Sequence, residues 1–142
     1  MIALRACIDV DDLDKAIAFY RDALGLTPGR RLGADWVEML GAQSPIDLLA
    51  NPAGSACCAG AQAPQRDYRR HWTPVHLDFV VDDVETAVAR VTAAGGRLDR
   101  EIQNRVWGRM ANIADPFGNG FCLLEMRGRG YDAMLETGTE TL

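Results

Sequence analysis

Polar and apolar side chains alternate from residue 4 to residue 10, which is the pattern of a β-strand with one covered face. Between residues 13 and 24 the apolar positions recur every three or four residues, and this period predicts an amphipathic helix. Asp11 and Asp12 stand where a side chain caps a helix N-terminus, and Gly25 ends the pattern. Short strand-like segments follow at residues 30–32, 35–40 and 45–50. The pattern therefore predicts a β-α-β-β-β unit over residues 1–51.

The same pattern returns 71 residues later, so the chain contains one unit twice. Val10-Asp11-Asp12 recurs as Val81-Asp82-Asp83, and Trp36 recurs as Trp107. The second copy, residues 74–126, predicts a strand at 75–81, a helix at 83–94 and strands at 97–102, 106–114 and 120–125. Its last strand matches the first copy only if about four extra residues are inserted, and we assign them to the turn at 115–119. Two copies indicate a pseudo-symmetric core.

Two segments lie outside the repeated units. Residues 52–73 are rich in alanine, glycine, proline and glutamine, which indicates a linker that crosses from one unit to the other. The basic cluster Arg66, Arg69, Arg70 and His71 in this linker either contacts an anionic ligand or is simply solvated. Residues 127–142 form a C-terminal tail with a short helical segment near Tyr131 and a polar end. We expect residues 1–142 to fold as a single domain.

Composition limits the classes of function. With 142 residues, of which 48% are hydrophobic, the chain can bury a full core. Its net charge of -5 argues against nucleic acid as a partner, because nucleic-acid binders present a basic surface. No apolar run reaches the length of a membrane span, so we expect a cytoplasmic protein without membrane contact. The four cysteines lack metal-binding spacing, and we expect free thiols.

The turn Asp115-Pro116-Phe117-Gly118-Asn119, followed by Phe121-Cys122-Leu123-Leu124-Glu125, is the most specific motif of the chain. Together with Phe19-Tyr20, Leu24-Gly25-Leu26 and the paired units, it resembles the vicinal oxygen chelate superfamily of glyoxalases, bleomycin-resistance proteins and extradiol dioxygenases. The resemblance is greatest to the glyoxalase-like branch. It implies an α+β fold in which two tandem βαβββ units form an open barrel around a central cavity.

The resemblance also implies where a metal ion would bind, namely on the first and last strand of each unit. These positions carry Arg5, Asp47, His76 and Cys122. His76 and Asp47 suit a divalent cation, whereas the Arg5 guanidinium has no lone pair to donate and repels one. Glu125 is three residues from Cys122 and so faces away from it in a strand. We expect no tightly bound cofactor, with a divalent metal at His76 and Asp47, or a zinc ion that also uses Cys122, as the open alternatives.

The same ring of side chains offers groups for a small-molecule ligand. Arg5 would bind a carboxylate or phosphate, with Asp47 or His76 taking a polar group beside it. Asp78 would either act as a base or pair with Arg5, and we favour the pairing. Cys122, which the expected strand order brings close to His76, is either a nucleophile or a small buried hydrophobe.

Two pairs of residues related by the repeat are further candidates. Trp36 and Trp107 either stack on an aromatic ligand or belong to the core. Glu38 and Arg109, two residues further along, face either the cavity or the outside. We therefore expect Trp107 and Arg109 among the ligand-binding residues.

Two functions follow from the resemblance. In the first, the cavity binds a small anionic or aromatic metabolite, and His76 and Asp47 catalyse a lyase, isomerase or dioxygenase type of reaction. In the second, the cavity binds or sequesters a small molecule such as an antibiotic without catalysis. In either case we expect a homodimer, because open sheets leave edges that a second chain can cover.

Overall fold

The computed structural model describes residues 1–137 of the chain. In the first unit, β1 (Ala6–Val10) leads into α1 (Leu13–Leu24), which is followed by β2 (Thr27–Leu32), β3 (Trp36–Leu40) and β4 (Ile46–Ala50). In the second unit, β5 (Leu77–Val80) leads into α2 (Val84–Ala93), which is followed by β6 (Arg97–Leu98), β7 (Gln103–Arg105), β8 (Gly108–Ala114) and β9 (Gly120–Met126). A short helix, α3 (Asp132–Thr137), comes last. The polar end predicted for residues 138–142 lies outside the described residues.

Each unit forms its own sheet. The first has the strand order β1-β4-β3-β2, and the second has the order β5-β9-β8-β6, with β7 also paired to β8. In both sheets the first strand is parallel to the last, while the strands between them are antiparallel. The prediction of an α+β fold built from two β-α-β-β-β units is confirmed. The strand predicted at 97–102 is shorter than expected, because β6 ends at Leu98, and the additional strand β7, which starts at Gln103, was not predicted.

The extra residues of the second unit are not all in the predicted turn. Cys7 is paired with Asp47, and Asp78, the counterpart of Cys7 in the second unit, is paired with Cys122. The stretch of chain between the two paired residues is therefore four residues longer in the second unit. Glu38 is opposite Asp47, which is nine residues later in the sequence, and Asn112 is opposite Cys122, which is ten residues later. Only one extra residue therefore belongs to the turn at 115–119. The other three precede β8, where the chain forms the separate strands β6 and β7.

The two helices begin in the same way. The Asp12 carboxylate accepts a hydrogen bond from the backbone N–H of Lys15 at 3.0 Å, and Asp83 accepts one from that of Thr86 at 2.6 Å. These contacts satisfy N–H groups that have no partner inside a helix. Gly25 ends α1 with a φ of 72°, a left-handed conformation that glycine adopts without a steric cost. The repeated Asp-Asp sequence thus encodes two helix starts.

One hydrophobic core joins the two units. Both helices contact each other, and each packs on one face of its own sheet. The core includes Phe19 and Tyr20 of α1, Val84 and Val91 of α2, and the inward-facing residues of both sheets. The opposite face of each sheet is not covered by these helices. Within residues 1–137 no helix is long and apolar enough to cross a membrane.

The segment predicted to be a linker is docked against both units. Tyr68 donates its hydroxyl hydrogen toward the carbonyl oxygens of Val10 and Asn51, at 3.0 and 2.7 Å. Arg66 binds Asp9 of β1, with 2.7 Å between Nε and Oδ2, and Arg70 binds Asp99 in the second unit. The three arginines of the basic cluster are therefore paired with carboxylates, since Arg69 binds Asp67, while His71 contacts the carbonyl oxygen of Arg69.

The turn at 115–119 connects the second unit to the first. The Tyr20 hydroxyl donates to the buried Asp115 carboxylate at 2.8 Å, and the backbone N–H groups of Phe117 and Asn119 donate to its other oxygen. The Asn119 amide also donates to the carbonyl oxygen of Asp9 at 3.1 Å. Burial raises the pKa of Asp115, while these donors act against the rise. A polar contact inside the core thus fixes how the two units meet.

Substitution Tyr20→Phe should lower the free energy of unfolding by about 1 to 3 kcal/mol, because it removes a donor from a buried carboxylate. Urea denaturation followed by circular dichroism measures the change. Tyr131→Phe, which alters a ring that is 45% exposed, serves as the control and should change stability by less than about 0.5 kcal/mol. Equal stability of Tyr20→Phe and the unmodified protein would show that the contact is not stabilising.

Candidate functional site

Two polar clusters lie on the sheet faces that α1 and α2 leave uncovered. On the first sheet, Arg5 donates from Nε to Asp47 Oδ2 at 2.9 Å and from Nη2 to Glu38 Oε1 at 2.8 Å. Arg30 binds the same Glu38 carboxylate through both oxygens, at 3.0 and 2.6 Å. We call Arg5, Arg30, Glu38 and Asp47 the first-sheet cluster. It contains two positive and two negative charges.

Strand pairing explains why these four residues meet. Glu38 of β3 is directly opposite Asp47 of β4, so both carboxylates are on the same face. Asp47 is also opposite Cys7 of β1, and Arg5 is two residues before Cys7 and shares its face. Arg30 reaches Glu38 from β2, the strand beside β3. The two-residue period of the strands thus places every member on one side.

The first-sheet cluster is strongly charged. Glu38 and Asp47 are only 4% and 8% exposed, whereas 39% of the Arg5 side chain is exposed. Hydrogen bonds from Arg30 and then Arg5 lower the pKa of Glu38 to about 2. Bonds from Asp47 and Glu38 in turn raise the pKa of Arg5. Glu38, Arg5 and Arg30 therefore remain ionised at physiological pH.

The second-sheet cluster consists of His76, Asp78, Cys122 and Asn112. His76 Nε2 lies 3.2 Å from Asp78 Oδ1, and the Asn112 side-chain amide donates to Cys122 Sγ at 3.3 Å. Asp78 of β5 is opposite Cys122 of β9, which is opposite Asn112 of β8. The ring of Trp72, from the linker, lies 4.6 Å from the His76 ring. Asn112 and Trp72 were not among the predicted site residues, because neither belongs to a recognisable motif.

The thiol of Cys122 is protonated at neutral pH. Burial, and then the charge and hydrogen bond of Asp78, raise its pKa to about 12. The neighbour of the thiol is thus a carboxylate, which disfavours a thiolate, whereas a nucleophilic cysteine needs a neighbouring positive charge. This environment favours the second of the two predicted roles, a small buried side chain.

A large open cavity lies between β1 and β5 and is covered by the linker. Its volume is about 1490 Å³, and both Arg5 and His76 line it. The rings of Tyr20, Phe79 and Phe121 contribute aromatic surface. The charged side chains that line it are four arginines and two aspartates, namely Arg5, Arg66, Arg69, Arg70, Asp9 and Asp67. The lining therefore contains more arginine than carboxylate side chains, and each of these arginines is also paired with a carboxylate.

Three predicted residues have surroundings that differ from expectation. Asp78 pairs with His76, and Arg5 pairs within its own sheet, so the predicted contact between Asp78 and Arg5 is wrong. Arg109 lies on the helix side of its sheet, where it binds Glu85 of α2 and Glu125. Its register explains this, because Arg109 is opposite Glu125, and the Glu125 carboxylate accepts a hydrogen bond from the first N–H of α2.

Trp107, expected to bind the ligand, packs beside Cys122, and neither it nor Arg109 is among the residues that line the cavity. Trp107 is 3% exposed and belongs to a small apolar cluster with Cys122 and Leu124. Tyr131 stacks edge-on against it with ring centroids 5.1 Å apart, and Met134 of α3 packs on the same cluster. The C-terminal segment therefore covers this part of the second sheet.

The match to known proteins agrees with this architecture. The family model of the glyoxalase-like domain matches residues 5–124, which is most of the chain. This chain belongs to the glyoxalase-like domain family. It is therefore a member of the vicinal oxygen chelate superfamily, as the motifs indicated.

Two curated relatives come from actinomycetes. The glyoxalase-like chain is 32% identical over 125 residues to the anthracycline biosynthesis protein DnrV of Streptomyces peucetius, covering 87% of this chain and 40% of that protein. It is 31% identical over 121 residues to DauV of Streptomyces sp. strain C5, covering 82% and 38%. The chain thus spans about two fifths of the length of these relatives.

Solved structures share the fold at lower identity. The fosfomycin resistance protein FosX of Listeria monocytogenes, in a complex with manganese(II) and a dihydroxypropylphosphonic acid, superposes with a TM-score of 0.70 at 19% identity. The match covers 96% of this chain and 99% of FosX. Lactoylglutathione lyase of Agrobacterium tumefaciens gives a TM-score of 0.60 at 22% identity, covering 88% and 92%.

Among residues 1–137 of this glyoxalase-like chain, the donor atoms fit a metal ion on the second sheet. His76, Asp78 and Cys122 each offer one donor atom, and the three atoms lie within 4.8 Å of one another. Nitrogen, oxygen and sulfur donors in a set of three suit zinc with an open position. Asp47 is not part of this set, because its carboxylate is bound to Arg5. The set therefore differs from the predicted pair of His76 and Asp47.

Cys122 should react with iodoacetamide at pH 8 at least about a hundredfold more slowly than the exposed Cys57 and Cys58, because only a thiolate is alkylated. Mass spectrometry of the alkylated peptides gives the rates. Asp78→Asn should accelerate the reaction, because it removes a negative charge that raises the thiol pKa. Equal rates for all three cysteines would contradict the protonated state assigned to Cys122.

Proposed function

We propose that this glyoxalase-like protein binds a small organic anion in the cavity between β1 and β5. The observation that carries the proposal is the cavity lining, in which four arginines face two aspartates. An excess of positive charge attracts anions and stabilises them once bound. The same lining explains how a protein with a net charge of -5 can hold an anionic ligand.

Arg5 is the best anchor for the anion. Its guanidinium is held by two carboxylates on the sheet side, and 39% of its side chain stays exposed. A guanidinium fixed in this way loses little conformational entropy when it binds a carboxylate or phosphate. Arg66 and Arg70 are similarly fixed by Asp9 and Asp99 around the same cavity. The ligand therefore meets several oriented positive groups.

The remaining surface of the cavity suits an aromatic or otherwise apolar body. Phe79 and Phe121 contact each other edge to face, with centroids 5.3 Å apart, and both line the cavity with Tyr20. Small-molecule sites combine such apolar surfaces with a few polar groups that fix orientation. A volume of about 1490 Å³ accommodates a ligand larger than a simple organic acid. The relatives named for anthracycline biosynthesis make polycyclic aromatic compounds suitable probes.

A second candidate function is catalysis of the lyase, isomerase or dioxygenase type, and the donor set of the second sheet favours it. His76, Asp78 and Cys122 would hold the metal ion, which when bound would supply a Lewis acid for a ligand oxygen. His76 also lines the cavity, where its imidazole can hold or move a proton. Asp47 contributes by orienting Arg5. Binding without catalysis would use the same cavity and leave His76 dispensable.

Arg5→Gln should weaken binding of aromatic carboxylates at least about tenfold, because it removes a charge-assisted contact. Isothermal titration calorimetry with benzoate, salicylate and a polycyclic aromatic carboxylate measures the change, with benzamide as the uncharged control. Arg30→Gln is the matched variant, since Arg30 shares Glu38 with Arg5 but does not line the cavity. Its affinities should stay close to those of the unmodified protein. Equal losses in both variants would remove Arg5 from the site.

Zinc should stabilise the protein only while the second-sheet cluster is intact. We expect the melting temperature to rise by several degrees with Zn²⁺ and the rise to disappear in His76→Ala. His71→Ala is the control, because His71 also lines the cavity but lies outside the donor set. Differential scanning fluorimetry after removal of bound metal gives the shifts. A zinc shift that survives in His76→Ala would exclude this metal site.

A further inference from the structure

The first-sheet cluster has an arrangement that is unusual for a binding site. Two carboxylates, Asp47 and Glu38, lie side by side on neighbouring strands and are almost completely buried. Adjacent buried carboxylates repel each other, so the arrangement requires a cation between them. Arg5 provides it, because its Nη2 lies 2.8 Å from Glu38 while its Nε lies 2.9 Å from Asp47.

The charge balance of the cluster depends on Arg5 in particular. Arg30 binds Glu38 through both oxygens but has no contact with Asp47 among the described hydrogen bonds and ion pairs. Asp47 is bound by Arg5 alone among the described ion pairs. Loss of Arg5 would therefore leave a buried carboxylate without a positive partner, which is strongly unfavourable.

We infer that Arg5 is the built-in cation of the first sheet. Its guanidinium occupies the position between Asp47 and Glu38 that a divalent cation would otherwise take. This half of the cavity therefore rejects metal ions and presents an arginine to the ligand. The inference goes beyond the proposed function, because rejection of a metal ion does not depend on any organic ligand.

A gain of cation binding follows from this assignment. Without Arg5, the Glu38 and Asp47 carboxylates lie beside each other, and the cluster has a net negative charge. Hard divalent cations prefer such oxygen ligands. Removal of Arg30 as well would free both oxygens of Glu38 and increase the negative charge further. Affinity for a hard cation should therefore rise in two steps, first on loss of Arg5 and then on loss of Arg30.

Titration with Mn²⁺ alone tests the inference. All proteins carry His76→Ala, so that the second-sheet donors do not contribute. In this background we expect no measurable Mn²⁺ binding with Arg5 present and binding of one ion per chain in Arg5→Gln. Arg5→Gln combined with Arg30→Gln should bind at least about tenfold more tightly than Arg5→Gln. Addition of Asp47→Asn should abolish the binding, and Arg5→Lys, which keeps a positive charge, should bind no Mn²⁺.

Other results would overturn the inference. One is Mn²⁺ binding with Arg5 present that Asp47→Asn abolishes, because the first sheet would then accept a cation beside the guanidinium. Another is a folded Arg5→Gln protein that binds Mn²⁺ no better than its parent. If Arg5→Gln is unfolded without metal, thermal melting with and without Mn²⁺ is the deciding measurement. Recovery of a cooperative transition with Mn²⁺ supports the inference, and failure to recover contradicts it.

Discussion

Each sheet of this protein buries one face against a helix, and this constraint determines on which face each of the two polar clusters lies. Apolar side chains of β1 and β4 pack on α1, so the polar residues between them must share the opposite face. Parallel pairing of the first and last strands then joins residues that are distant in sequence. Cys7 is opposite Asp47, and Asp78 is opposite Cys122. Both polar clusters are consequences of one packing rule applied twice.

Local patterns were sufficient to predict both main helices and most strands of this fold. The helical period, Asp12 and Asp83 as capping residues and Gly25 as the end of α1 are all present in the structure. The direction of Glu125, away from Cys122, was also predictable, since it needs only the two-residue period of a single strand. Such features depend on neighbours within a few positions, and a sequence contains that information directly.

Features that depend on register between strands were not predictable in the same way. The repeat aligned Glu38 with Arg109, but three extra residues precede β8, so Glu38 corresponds in space to Asn112. Arg109 consequently faces the helix. Contacts across the fold were equally absent from the sequence pattern, because the composition of the linker indicates a loop, while single residues such as Arg66 and Tyr68 bind it to the first unit. A two-residue period assigns a face to a side chain but does not assign its partner.

The two units share a topology but differ in the chemistry of their polar faces. Arg5 and His76 occupy equivalent positions 71 residues apart, yet one is a guanidinium that has no lone pair to donate and the other is an imidazole that has one. On the first sheet, hydrogen bonds from Arg30 and Arg5 lower the pKa of Glu38 to about 2, so this carboxylate stays charged far below neutral pH. On the second sheet, an imidazole, a carboxylate and a thiol place their donor atoms within 4.8 Å of one another. The same topology thus carries a fixed guanidinium on one polar face and three different kinds of donor atom on the other.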